Sequence, residues 1–439
     1  MRNAKRVPMD LAGSGWYELL PPPPPARELT QPLTADWVVV GAGFAGLAAA
    51  RRLTQLRPGH TIVVLEAQRI GWGAAGRNSG FMIDLPHDLN TVDYSGAAAD
   101  DHKQIRMNRA GIRFAREAAE EYGLLEHFKT CGKYHAATGG HGLAALRQFG
   151  RHLDALGESY TSLNAAELKE VTGSSYYAGG THAPGAAIIQ PAAYIRGVGA
   201  GLARHVELFE NSPVLRIEPG RDHVVWTAKG KVTTPRVILT VNGHVESFGY
   251  FPRQLMHVFT FGSMTRQLSA AELKALGGAG EWALIPADPM GSTVRKIRQG
   301  RIVVRNTFTY NPGMATSAAQ VARMRRRHRR SFDARFPMLA DVDFQYSWGG
   351  HLCLSLNAVP AFGEVEDGIY AACCCNGLGT VKGTLGGRLI ADLATKTPEP
   401  MVQDMLAQPA PRKLYPEPLM TIGANARLWW MHHRAGREL

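Results

Sequence analysis

Gly41-Ala42-Gly43-Phe44-Ala45-Gly46 spells G-x-G-x-x-G between an apolar run, Trp37 to Val40, and a stretch of helical apolar spacing from Phe44 to Leu56. Gly41 permits a tight turn, Gly43 lets the backbone approach a pyrophosphate, and Gly46 lets the helix pack closely on the strand. The free N–H groups at the helix start then face an anion. Glu66-Ala67 follows the next apolar run, Thr61 to Leu65, about 20 residues beyond the last glycine, where an acid takes ribose hydroxyls. A purely structural glycine turn would not need strand, helix and acid in this order. These residues read as a dinucleotide site, and the acid argues against a 2′-phosphate.

The loop after the acid runs Arg69-Ile70-Gly71-Trp72-Gly73-Ala74-Ala75-Gly76-Arg77-Asn78-Ser79-Gly80. Its glycines and alanines expose backbone beside a long ligand, and Arg77 is placed for charge-assisted contact with phosphate. The sixteen histidines show no metal-ligand spacing, so no metal is expected. No G-x-S-x-G element, P-loop or C-x-x-C pair is present.

Strand, helix and strand over residues 36 to 65 make a βαβ unit, which requires a parallel sheet. Helical spacing recurs at 100–122, 140–156 and 192–205, and short strands are expected at 206–209, 214–218, 224–228 and 237–241. From about 250 to 345 the chain reads as antiparallel strands (257–265, 292–297, 301–310) followed by an arginine-rich helix. The buried pattern returns at Ile369 to Cys375 and closes with a helix from Val381 to Ala394. The expected fold is α/β plus α+β, a Rossmann-like lobe with an inserted antiparallel-sheet substrate lobe. Its parts are an N-terminal arm (1–35), a discontinuous nucleotide-binding domain (36–90, 175–248 and 348–398), a substrate domain (91–174 and 249–347) and an irregular tail (399–439). Pro21 to Pro25 form a stiff spacer in the arm, with Trp16-Tyr17 as a packing anchor.

The chain has 439 residues, 45% hydrophobic and 20% charged, which excludes wholesale disorder and exceeds one ordinary core. No apolar run reaches the roughly 18 residues of a membrane span, and the prolines after Leu20 exclude a secretory signal helix. Five cysteines, three of them consecutive, do not make a disulfide framework, so a cytoplasmic protein is expected. Of the net charge of +12, six come from Arg323, Arg325, Arg326, Arg327, Arg329 and Arg330, a solvated helix face. A basic nucleotide- or RNA-binding protein on the same fold rests on that excess alone, and no aromatic interleaving in the segment supports it. No nucleic-acid partner is expected.

The fingerprint, Glu66 and the G-x-G-A-x-G-R-N-x-G stretch together resemble the D-amino-acid-oxidase-like flavoproteins, most of all the γ-glutamylputrescine oxidase branch. Ile189-Gln190-Pro191-Ala192, the strand end Val237 to Gly243, Trp348-Gly349-Gly350 with Asn357, Pro360 and Gly363, and Asn376-Gly377-Leu378-Gly379 continue the likeness in order, over residues 14 to 397. The resemblance implies FAD, with its flavin ring between the lobes, and oxidation of the C–N bond of a small amine (amino acid, N-alkyl or γ-glutamylated) by hydride transfer to flavin N5. The resulting imine hydrolyses, and O2 or another carrier takes the electrons. It also implies cofactor contacts from Gly41 to Gly46, Glu66, Ala67, Gly73, Arg77 to Gly80, Val214, Asn242, Gly243 and Gly377 to Thr380. The start of the last helix then aims N–H groups at the flavin pyrimidine edge.

Departures from the family surround the ring. Leu378 stands where a histidine is common, and Cys353 where the nearest branch tends to have an acid. In the sarcosine-oxidase branch the flavin-attaching cysteine lies in a comparable strand, which makes Cys353, with His351 two residues before it, the catalytic candidates; noncovalent FAD is favoured. Asn357, His257, Tyr250 and Phe251 are the further substrate-side candidates. The alternative enzyme class is a flavin monooxygenase or NAD(P)-coupled flavoenzyme, which usually needs a second glycine fingerprint that this chain lacks.

Overall fold

The computed structural model describes every residue except 11, 90 and 92. Trp37–Val40 and Ile62–Leu65 are fully buried four-residue strands, as a parallel sheet covered on both faces demands. They sit inside a six-stranded sheet ordered Glu207–Phe209, Ile62–Leu65, Trp37–Val40, Val237–Leu239, Ile369–Cys373 and Ala361–Glu366. All its pairs are parallel except the last. Helices Phe44–Leu56, Val381–Ala394 and Ala98–Glu121 pack together. They approach closely because small residues meet: a Cβ on Gly387 would lie 1.9 Å from the Ala45 carbonyl oxygen.

The second lobe is an eight-stranded sheet, ordered Phe344–Leu354, Met256–Thr265, Arg301–Tyr310, Thr293–Ile297, Trp282–Pro286, Lys133–Ala137, Gly179–Ala183 and Thr161–Asn164. It is antiparallel apart from the pairing of Trp282–Pro286 with Lys133–Ala137. The arginine-rich helix Ala318–Arg335 buries Met324, His328 and Phe332 and leaves Arg323, Arg326 and Arg330 exposed.

Several expected boundaries move. Residue 348 falls inside Phe344–Leu354, whose register with Met256–Thr265 runs unbroken through the W-G-G segment and carries it into the second sheet. Gly179–Ala183 also pairs there, although 175–248 was assigned to the nucleotide lobe. Ala98–Glu121, expected in the substrate domain, packs on the nucleotide lobe, with Gly111 against Val381. The boundary at 90 lies outside the described residues. The tail is not irregular: it forms helices Pro400–Leu406 and Leu419–Ala435, and its last carbonyls accept from Arg335. The arm is likewise built in. Arg2–Asn3 and Pro32–Thr34 edge a five-stranded sheet, and Trp16 is buried edge-on against Trp348.

Candidate functional site

The glycine turn does what its spacing requires. Gly41 sits at φ +98°, where a side chain is strained, and a Cβ on Gly46 would lie 1.7 Å from the Gly41 carbonyl oxygen. A side chain on Gly43 would meet only Ala75, at 3.7 Å, so the backbone there borders open space. Glu66 accepts from Ala42 N (2.8 Å) and Gln68 N (3.0 Å), so its carboxylate is braced by the turn itself. Burial raises its pKa, and these N–H groups oppose the rise.

Ala42, Gly43, Phe44, Ala45, Glu66, Ala67, Gly73, Val214 and Asn242 line one cavity of about 260 Å3, which extends to Gly350, His351, Cys353, Gly377 and Gly379. Asn242 Oδ1 is buried there without a hydrogen-bond partner, at a residue held at φ +48°. A Cβ on Gly379 would meet nothing within 4 Å. A long cradle floored by backbone, an acid at one end and an orphaned acceptor along its wall fit a dinucleotide.

A second chamber, about 70 Å3, shares Asn78, Gly377 and Gly379 with the cradle. Ser79, Gly80, Leu378 and Thr380 line this chamber rather than the cradle, together with Phe81, His87, Tyr94, Ile285, Pro286, Thr293 and Arg305. The Thr380 hydroxyl donates to Phe81 O, tying the turn to the chamber wall.

Arg77 lines the cradle, but its guanidinium is already engaged by protein. Its guanidinium donates to Trp72 O, Gly349 O and Ala12 O and pairs with Asp10 (3.4 Å), so it clamps the arm to both lobes. Asn78 braces its own loop through Ala75 O and Gly80 N. Gly243 lies behind the wall rather than on it: a Cβ would meet His257 Nδ1 at 2.6 Å and His351 Cε1 at 2.9 Å.

Those histidines form a relay of contacts. Glu246 Oε2 is 2.8 Å from His257 Nε2, and His257 Nδ1 is 3.3 Å from His351 Nε2. Burial, then the neighbouring His257 and His244, hold the His351 pKa well below 6.5. Cys353 shares its strand face, but burial and the Cys374 side chain push its thiol well above 9. Of the other candidates, Tyr250 donates to Glu366, Phe251 packs on the parallel sheet's core, and Asn357 holds Ala410 and Arg412 of the tail.

Arg305 and His87 were missed. Arg305 has no carboxylate partner and no side-chain hydrogen bond among the described residues, only the Phe308 ring 4.5 Å from its guanidinium carbon. Desolvation lowers its pKa to about 10. His87 stacks on Tyr94, its Nδ1 unpartnered, and burial followed by the Lys133, Arg305 and Lys382 charges keeps it well below 6.5. A cation inside the run Ile302-Val303-Val304-Arg305 was the available signal.

A family model described as FAD dependent oxidoreductase (DAO) matches residues 36–393. The chain belongs to this family. It is an FAD-dependent oxidoreductase. The chain is 27% identical to "Gamma-glutamylputrescine oxidoreductase" of Escherichia coli over 84% of its length and 85% of the relative's. It is also 27% identical to "Probable oxidoreductase OrdL" of Haemophilus influenzae, over 83% and 84%. Among solved structures, glycine oxidase from Geobacillus kaustophilus superposes with a TM-score of 0.69 at 19% identity, covering 84% of this chain and 96% of that one. Iminodiacetate oxidase from Chelativorans sp. BNC1 gives 0.66 at 16%, covering 87% and 100%. These likenesses bear out the mixed α/β fold with its flavin lobe. No helix among the described residues is long and apolar enough to cross a membrane.

Proposed function

We propose that this FAD-dependent oxidoreductase oxidises the C–N bond of a small amine carrying a carboxylate near the reacting carbon. The observation that carries the reading is Arg305, a desolvated guanidinium without a carboxylate partner among the described residues, facing a small chamber that shares the Gly377–Gly379 turn with the FAD cradle. A half-buried, desolvated cation without a carboxylate partner is costly, and a substrate carboxylate supplies the missing charge through a bidentate pair.

FAD, bound in the cradle, supplies the two-electron acceptor. The chain's own residues do the rest. Arg305 fixes the carboxylate, and the neutral His87 imidazole offers Nδ1 to the amine from the same wall. Phe81, Tyr94, Ile285 and Leu378 keep water from the reacting carbon. The Val381–Ala394 helix starts where Gly379 and Gly383 line the cradle, so its positive end favours negative charge there. The imine product leaves and hydrolyses. Glycine and iminodiacetate, named by two of the similar structures above, carry a carboxylate on the carbon bonded to nitrogen.

The test is anaerobic mixing of the yellow holoenzyme with a panel of amines, without pyridine nucleotide. Amines bearing a carboxylate should bleach the flavin, and matched amines lacking one should not. Equal bleaching by both, or bleaching that requires NAD(P)H, sinks the proposal.

A further inference from the structure

The C-terminal helix Leu419–Ala435 turns Leu428, Met431 and Ala435 inward onto Val258 and Phe308. Its opposite stripe has no cover. Leu419, Ile422, Trp429 and Trp430 are 63%, 63%, 69% and 54% exposed, and at 100° per residue they fall on one face. Two adjacent exposed tryptophans need a reason, since single exposed apolar residues are common but a contiguous stripe is not. His433 stacks on Trp429, and the Arg434 guanidinium lies over Trp430 while pairing with the buried Asp288 at 3.8 Å, so the free positive charge of this face comes from the neighbouring helix.

The arginine-rich helix Ala318–Arg335 packs beside it on the same strand, Arg301–Tyr310. His432 accepts from Phe308 N on that strand, and Gln320 donates to Thr309 from the other helix. Arg327 is near enough to act on His432. Arg323, Arg326 and Arg330 point outward on the exposed side. Leu419–Ala435 contains no acidic residue, and the single acid of Ala318–Arg335, Asp333, is paired with Arg329. Nearby Glu417 is engaged by Tyr310 and Thr421.

We propose that this face docks on an anionic lipid surface, the apolar stripe entering the interface and the arginines pairing with acidic headgroups. Tryptophan with aliphatic neighbours over a cationic flank is the composition of a helix lying in the interface plane. A second copy of the chain fits worse, because a two-fold contact would bring the arginine clusters of both copies together. RNA would use the tryptophans for stacking but leaves Leu419 and Ile422 without a role.

The experiment is sedimentation of the full-length holoenzyme with phosphatidylcholine vesicles, with and without a minority of phosphatidylglycerol. Binding is expected only with the anionic lipid, with a blue shift in tryptophan emission. The variants Trp429→Ser/Trp430→Ser and Arg326→Glu/Arg330→Glu should each lower partition about ten-fold or more while leaving the flavin spectrum and melting temperature unchanged. No sedimentation, equal sedimentation with neutral vesicles, or binding unaffected by both variants overturns the proposal. A dimer that dissociates in the tryptophan variant, with no vesicle binding, assigns the face to a second copy instead. Binding of an RNA oligonucleotide that displaces the vesicles likewise overturns it.

Discussion

The cradle and the chamber beside it share the glycine turn at 377–379 but are built on opposite plans. The cradle is made of backbone: Gly41, Gly43 and Gly46 in one turn, Glu66 braced by that turn, and a floor on the parallel sheet. The chamber is made of side chains brought from distant segments, with His87 and Tyr94 from one loop, Thr293 and Arg305 from the antiparallel sheet, and Leu378 from the turn. Backbone recognition suits a ligand that does not change, whereas side-chain recognition can be retuned one residue at a time.

The largest effect should separate the two plans outright. Gly46→Val places carbon within 2 Å of the Gly41 carbonyl, and neither backbone can move away, so the purified protein should be colourless. Arg305→Met should leave the flavin spectrum and FAD content intact. With the carboxylated amine that bleaches wild type best, it should lower kcat/KM about 100-fold, from a loss of about 3 kcal/mol. If Arg305→Met also lost FAD, chamber and cradle would not be separable.

This division also explains what could be read in the sequence. The strand–turn–helix and Glu66 were legible because their spacing is local, and Val381–Ala394 was legible from its apolar period. Arg305 and His87 were not, because nothing local links two residues more than 200 positions apart. The clamp at Arg77 was hidden for the same reason: the arm residues that engage it, Asp10 and Ala12, lie more than 60 residues upstream. The tail helices were overlooked because their buried faces are short and flanked by exposed apolar residues.

A smaller effect should come from the cradle's buried carboxylate, Glu66. Glu66→Ala should weaken FAD binding some tens-fold, about 2–3 kcal/mol, as charge-assisted hydrogen bonds are lost. Titration of apoprotein with FAD measures it directly, and an unchanged dissociation constant would move the ribose elsewhere.

Acid should also treat the two lobes differently. Burial holds His87 and His135 well below 6.5 and His328 at about 3, all around the chamber and second sheet. The unfolded chain takes those protons below pH 6.5 while the folded chain refuses them. Their stability contribution is therefore complete above pH 6.5 and falls with acidification, by about 1.4 kcal/mol per pH unit per histidine. Glu66 has the opposite sign: burial raises its pKa, so protonation in mild acid relieves a folded-state cost. Between pH 6.5 and 4.5, hydrogen-exchange protection, corrected for the intrinsic rate at each pH, should fall in Lys133–Ala137 and Arg301–Tyr310 before Trp37–Val40. Loss of protection in the reverse order would contradict it.

The smallest effect is expected where cradle and chamber lobe meet, at Cys353. A covalent flavin link needs a thiolate. Here the thiol is buried, and burial together with Cys374, Cys373 and Cys375 drives it away from ionisation. His351, two residues away on the same face, is itself held neutral and is engaged with His257 rather than with sulfur. The thiol packs as a small apolar group against Cys373 and Cys374. Acid precipitation of the holoenzyme should release all yellow colour to the supernatant. Cys353→Ser should keep the flavin spectrum and change amine turnover less than about three-fold, within the roughly 0.5 kcal/mol scatter of mild substitutions. Colour retained in the pellet, and lost from it in Cys353→Ser, would show that the ring itself lowers the thiol pKa, and that this one side chain belongs to the cofactor's plan.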